Sequence, residues 1–61
     1  EARARAEATR AQLLESIATL EKQLAEAREA GDERKATEAQ ESLAARQAWL
    51  AEVERTLAEM S

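Results

Sequence analysis

Glutamates at helical spacing are the side chains of this sequence best placed to do chemistry. Glu26 and Glu29 lie three residues apart, as do Glu38 and Glu41, and this spacing puts two carboxylates on one helix face. A di-iron bundle would need Glu-x-x-His on its helices, but the sequence has no His. It also has no nucleophile–base arrangement, because its Ser and Thr residues are scattered and His, Cys and Tyr are absent. The residues therefore predict no catalytic, metal-binding or cofactor-binding site, no small-molecule substrate and no enzymatic activity.

The composition predicts long helices that would carry these carboxylates. Of 61 residues, 16 are Ala, and Ala, Glu, Lys, Leu and Arg together make 44, a share typical of coiled coils. The net charge is −4 and the only aromatic residue is Trp49, so a nucleic-acid partner is not expected. No apolar run approaches the ~20 residues that span a bilayer, so no membrane association is predicted. The absence of Cys is compatible with a cytoplasmic protein, which is our expectation.

One glycine divides the chain into two equal halves. Gly31 has thirty residues on each side, and no Pro interrupts either half. We expect Gly31 to close a first helix in the left-handed conformation and Asp32 to cap a second. Residues 1–61 are thus predicted to form a single helical hairpin, with a helix at about 2–30, a turn at Gly31–Asp32 and a helix at about 33–60. One continuous helix is the competing interpretation, but its heptads would put Gly31 and Glu38 in the core.

Heptad spacing in each half supports the hairpin. Leu13, Ile17, Leu20 and Leu24 alternate intervals of four and three residues, which fixes their a and d positions. The second half has the same alternation from Leu50 to Met60. Folding the chain about Gly31–Asp32 pairs an a with a d residue in every layer, as an antiparallel pair requires: Ala27/Ala36, Leu24/Ala39, Leu20/Leu43, Ile17/Arg46, Leu13/Leu50, Arg10/Val53, Ala6/Leu57 and Arg3/Met60. The predicted fold is all-α, an antiparallel two-helix coiled-coil hairpin.

A second apolar stripe exceeds what a lone hairpin needs. Seven of the eight b positions are Ala, where surface helices usually carry Glu, Lys or Gln, and the neighbouring e positions include Leu14. In an antiparallel pair these positions of both helices flank the same side, which we call the alanine face. It consists of Ala4, Ala11, Leu14, Ala18, Ala25, Ala44, Ala51 and Ala58. With only eleven large apolar side chains, the hairpin is predicted to pair through this face into a homodimeric four-helix bundle.

Two alternatives remain for the interacting surface. The alanine face could dock on another helical protein or on another part of a longer parent protein. Trp49 lies at a g position on the opposite flank, with Thr9, Ser16, Ser42 and Thr56, and we call this side the tryptophan flank. Because Trp is enriched at binding hot spots, this flank could carry the interface instead. A ring lying over the hairpin seam beside Leu13 and Val53 would also explain Trp49.

The segment at the turn, Ala25–Asp32 with the sequence AEAREAGD, resembles the tip of the coiled-coil hairpin in Gre-type transcription factors. Those factors insert an acidic tip into the secondary channel of RNA polymerase and help to hold a metal there. The resemblance implies that Asp32 matches the first tip acid, whereas Lys35 stands where the second acid would be. The alternative to a non-catalytic interaction module is therefore an acidic-tipped hairpin regulator.

Overall fold

The computed structural model describes residues 1–60, which form two α-helices packed against each other. Helix α1 spans Ala2–Ala30, helix α2 spans Glu33–Glu59, and no strand occurs among these residues. The molecule measures 44 × 14 × 12 Å. Its long dimension is the length of one helix of 29 residues at a rise of about 1.5 Å per residue, so the two helices lie side by side as a hairpin. Ser61, included in the predicted hairpin, lies outside the described residues.

The connection between the helices consists of Gly31 and Asp32. Gly31 has φ 71° and ψ 22°, the left-handed conformation that residues with a Cβ rarely adopt. Its N–H donates to the Arg28 carbonyl at 3.1 Å, and the Asp32 N–H donates to the Ala27 carbonyl at 2.9 Å. This pair of bonds is a Schellman motif, which satisfies carbonyls that the end of α1 leaves free.

Asp32 also begins the second helix. Its carboxylate accepts a hydrogen bond from the Lys35 N–H at 3.0 Å, and its carbonyl accepts one from the Ala36 N–H at 3.0 Å. Glu33 in the first turn of α2 and Arg28 in the last turn of α1 each match the sign of charge that the helix dipole favours there. One residue therefore completes the cap of α1 and starts α2, which allows a connection of only two residues.

Replacing Asp32 with Ala is expected to cost about 1 kcal/mol of stability, because the N–H of Lys35 loses its side-chain acceptor. Asp32→Asn should cost much less, since an Asn oxygen caps a helix about as well. Denaturant titration followed by circular dichroism, at one fixed protein concentration, measures both losses. Equal losses for Ala and Asn would contradict a capping role and indicate that the negative charge matters.

The core follows the predicted heptad layers. The buried side chains are Leu13, Ile17, Ala27, Ala39, Leu43 and Leu57, and all six occupy predicted a or d positions. The other apolar residues predicted at core positions are half-buried, with Met60 as the exception. No side chain in residues 1–60 falls below 2% exposure, so the core between the two helices is thin.

The outermost predicted layer, Arg3 with Met60, does not form a core layer. Met60 is 41% exposed and caps α2, where its N–H donates to the Thr56 and Leu57 carbonyls at 3.1 and 3.2 Å. The Nε of Arg3 instead lies 3.4 Å from a Glu7 carboxylate oxygen within α1. The heptad pattern misplaced Met60 because α2 ends at Glu59, one residue before the position where the side chain would have packed.

Candidate interaction surface

All eight residues predicted to form the alanine face are exposed on the hairpin. Leu14 has 45% of its surface accessible, whereas its neighbour Leu13, in the core, has 4%. Seven of the eight residues are Ala, and the e positions between the alanine stripes of the two helices are polar or charged apart from Leu14. The alanine face is thus a pair of exposed alanine stripes that the hairpin leaves uncovered, with one exposed Leu among polar e residues.

A groove near the chain ends shows that both helices contribute to this side. It is lined by Glu7 and Arg10 of α1 and by Glu54 and Ala58 of α2, together with Arg3 and Leu57. Glu7 and Glu54 are e residues and Ala58 is a b residue of the alanine face. Because residues of these heptad positions from both helices line one groove, the two alanine stripes lie on the same side of the hairpin.

The charges beside the alanine face are unevenly distributed along its length. At the end with the chain termini, Glu7 and Glu54 line the same groove. At the end with the turn, the e positions are Arg28 and Glu33, which carry opposite charges. The e residues at the termini end are therefore both acidic, although Arg3 and Arg10 line the same groove, and the e residues at the turn end carry one charge of each sign.

The tryptophan flank differs in being polar and partly bonded across the helices. Trp49 is 50% exposed, and Thr9 and Ser16 are half-buried. The Arg46 Nε donates a hydrogen bond to the Ser16 Oγ at 3.3 Å, which links α2 to α1. Arg46 belongs to the same core layer as Ile17. Its aliphatic stem covers this layer from the exposed side, and its guanidinium contacts a hydroxyl group of α1.

A second groove, of about 600 Å³, lies on the tryptophan flank next to the turn. Its walls include Leu20 and Ala27 of α1 and Lys35 and Ser42 of α2, with Glu26 and Glu38 at its rim. Sequence reasoning missed both this groove and the Ser16–Arg46 bond. The groove could have been predicted from Ala27 and Ala39, because small side chains at core positions leave space between the helices.

The structure does not assemble the carboxylates into a chemical site. Glu26 and Glu38 share the rim of the turn groove, but no group of three or more Asp, Glu, His or Cys residues within residues 1–60 is placed to hold a metal ion. The Arg34 Nε lies 3.7 Å from a Glu38 carboxylate oxygen, and Arg3 with Glu7 forms a second ion pair of the same i,i+4 spacing. Exposed pairs of this kind contribute a few tenths of a kcal/mol to helix stability.

At the tip of the hairpin, Asp32 caps helix α2, and this role is independent of the resemblance to Gre-type factors. The Asp32 carboxylate accepts a hydrogen bond from the Lys35 N–H, and Lys35 occupies the place of the second acid in those factors.

Comparison of the chain with protein-family profiles, with curated proteins and with solved structures yields no match. In addition, neither helix combines the length and hydropathy needed to cross a lipid bilayer, as far as residues 1–60 are concerned.

Proposed function

We propose that this hairpin is a non-catalytic interaction module that self-associates through its alanine face. Two copies would pack face to face as an antiparallel four-helix bundle, in which a short turn joins the two helices of each copy. The observation that supports this most strongly is Leu14, which is 45% exposed beside the exposed alanine stripe of α1. Small side chains let helices approach closely, so such a strip suits helix packing better than solvent.

The thin core supports the same proposal. Within residues 1–60, six side chains are buried, two of them Ala, and none reaches the complete burial common in larger domains. Domains of about 60 residues bury a smaller fraction of their surface than larger ones and are only marginally stable alone. A second copy on the alanine face would cover Leu14 and the Ala methyl groups, adding apolar burial at about 25 cal/mol per Å².

Sedimentation equilibrium between about 1 and 100 µM, the range in which many modest self-associations dissociate, tests the proposal. We expect a mass of twice 6.7 kDa at the upper end and a fall toward 6.7 kDa on dilution. Circular dichroism on the same samples reports whether helix is lost as the dimer dissociates. A helical chain of 6.7 kDa at every concentration would contradict self-association and favour docking on a different helical protein.

A further inference from the structure

The tryptophan flank combines an open groove with the only aromatic side chain of the sequence. The groove beside the turn holds about 600 Å³, and the apolar residues Leu20, Ala27 and Ala39 form part of its walls. Trp49 is 50% exposed and lies one heptad, about 10 Å, beyond Ser42 in the same groove wall. An apolar groove and an exposed indole therefore follow one another along this side of the hairpin.

Carboxylates border the tryptophan flank on both helices. Glu26 of α1 and Glu38 of α2 line the groove, where Lys35 is the only basic lining residue. Glu52 follows Trp49 by three residues, so the two are neighbours on one face of α2. Within residues 1–60, neither Glu26 nor Glu52 forms an ion pair with a basic side chain. Apolar surface beside unpaired carboxylates complements a partner that presents apolar and basic side chains together.

We propose that the tryptophan flank docks a basic amphipathic helix of another protein, with its apolar side chains on the groove and Trp49 and its Lys or Arg side chains near Glu26 and Glu52. Lys35 and Trp49 lie 14 residues apart on α2, a length of about 21 Å, so a helix of about four turns covers the flank between them. A basic side chain that pairs with Glu52 also covers the Trp49 ring, whose face attracts cations. A second copy complements this surface poorly, because the hairpin has a net charge of −4.

Titration with a synthetic peptide measures this docking, because Trp49 is the only tryptophan and its emission reports the contact. The probe is a Trp-free peptide of about 18 residues, with Leu at heptad positions a and d, Lys at e and g, and Ala elsewhere. Its counterpart has Glu in place of Lys. We expect the Lys peptide to shift the Trp49 emission to the blue and to bind at least tenfold more tightly than the Glu peptide. An unshifted emission, or equal affinity for the two peptides, would overturn the inference.

Single variants locate the contact on the hairpin. Glu26→Gln and Glu52→Gln should each weaken binding of the Lys peptide about threefold, the size expected for one exposed ion pair. Trp49→Ala, measured by calorimetry because it removes the fluorophore, should weaken binding about tenfold. Glu15→Gln is the matched control, since it removes the same charge at an exposed f position on the outer side of α1. An equal loss for Glu15→Gln would indicate diffuse attraction to an acidic protein and would overturn the inference.

This docking is independent of the proposed self-association, because the alanine face lies on the opposite flank of the hairpin. A chain carrying Ala18→Glu in the alanine face should therefore bind the Lys peptide within about twofold of the unmodified chain. A hairpin that sediments as a monomer would contradict self-association and leave the peptide titration unchanged, so the two proposals fail separately. If the Lys peptide dissociates the dimer and the Trp49 emission moves to the red on dilution, a second copy occupies the tryptophan flank and the inference is overturned.

Discussion

A chain carrying Ala18→Glu is expected to remain monomeric at concentrations where the unmodified hairpin dimerises. Ala18 is exposed near the centre of the alanine face, so a Glu there meets solvent in the monomer and costs the helix little. In the dimer the same carboxylate would be buried without a partner, and two-fold symmetry would bury two. Since an unpaired buried charge costs several kcal/mol, dimerisation should weaken at least a hundredfold, as measured by sedimentation equilibrium.

Ala8→Glu is the matched control for this experiment. It makes the same substitution in the same helix at an exposed f position, on the outer side of the hairpin. Ala8→Glu should leave the dimer intact, while Ala11→Glu and Ala51→Glu should behave like Ala18→Glu. If Ala18→Glu dimerises as tightly as Ala8→Glu, the alanine face is not the interface. The tryptophan flank would then be the candidate, and dilution of the dimer should shift the Trp49 emission to the red.

The two helices and their register were predictable because local chemistry determines them. A chain without Pro, and with its only Gly at the midpoint, has one favourable place to end a helix. The intervals between Leu13, Ile17 and Leu20 then fix which side of α1 turns inward, and the burial of Leu13 and Ile17 follows. Each of these inferences depends on residues within two helical turns of one another.

The contacts that sequence reasoning missed depend on how the helices sit against each other. The Ser16–Arg46 hydrogen bond joins residues thirty positions apart and requires the two side chains to meet at one height within a fraction of a turn. Heptad assignment has a resolution of one layer, about 5 Å, which is coarser than a hydrogen bond demands. Met60 was misplaced for a related reason, since the pattern does not encode where the last turn ends.

The sequence of one chain does not determine which molecule covers the alanine face. A strip of Ala with one Leu specifies close helix packing, but a second copy and a different helical protein would use the same contacts.

Leu43→Ala is expected to unfold most of the chain at 25 °C. Leu43 is 7% exposed and belongs to the central layer with Leu20. Removing a buried Leu side chain typically costs 2–5 kcal/mol through lost transfer free energy and the cavity left behind. A chain of this length has a free energy of unfolding of only about 3–9 kcal/mol at 0.05–0.15 kcal/mol per residue, so the loss is comparable to the total. Circular dichroism during thermal unfolding measures the effect.

Leu14→Ala separates the core from the interface, because it deletes the same atoms one heptad position away from the core. Leu14 is 45% exposed in the hairpin, so its removal leaves the contacts between α1 and α2 nearly unchanged. The unfolding temperature of Leu14→Ala should fall only at concentrations where the original chain dimerises, and it should match that chain at high dilution. Leu43→Ala should be destabilised at every concentration. Equal losses for both variants at high dilution would mean that Leu14 already packs within the hairpin, and the alanine face would lose its central contact.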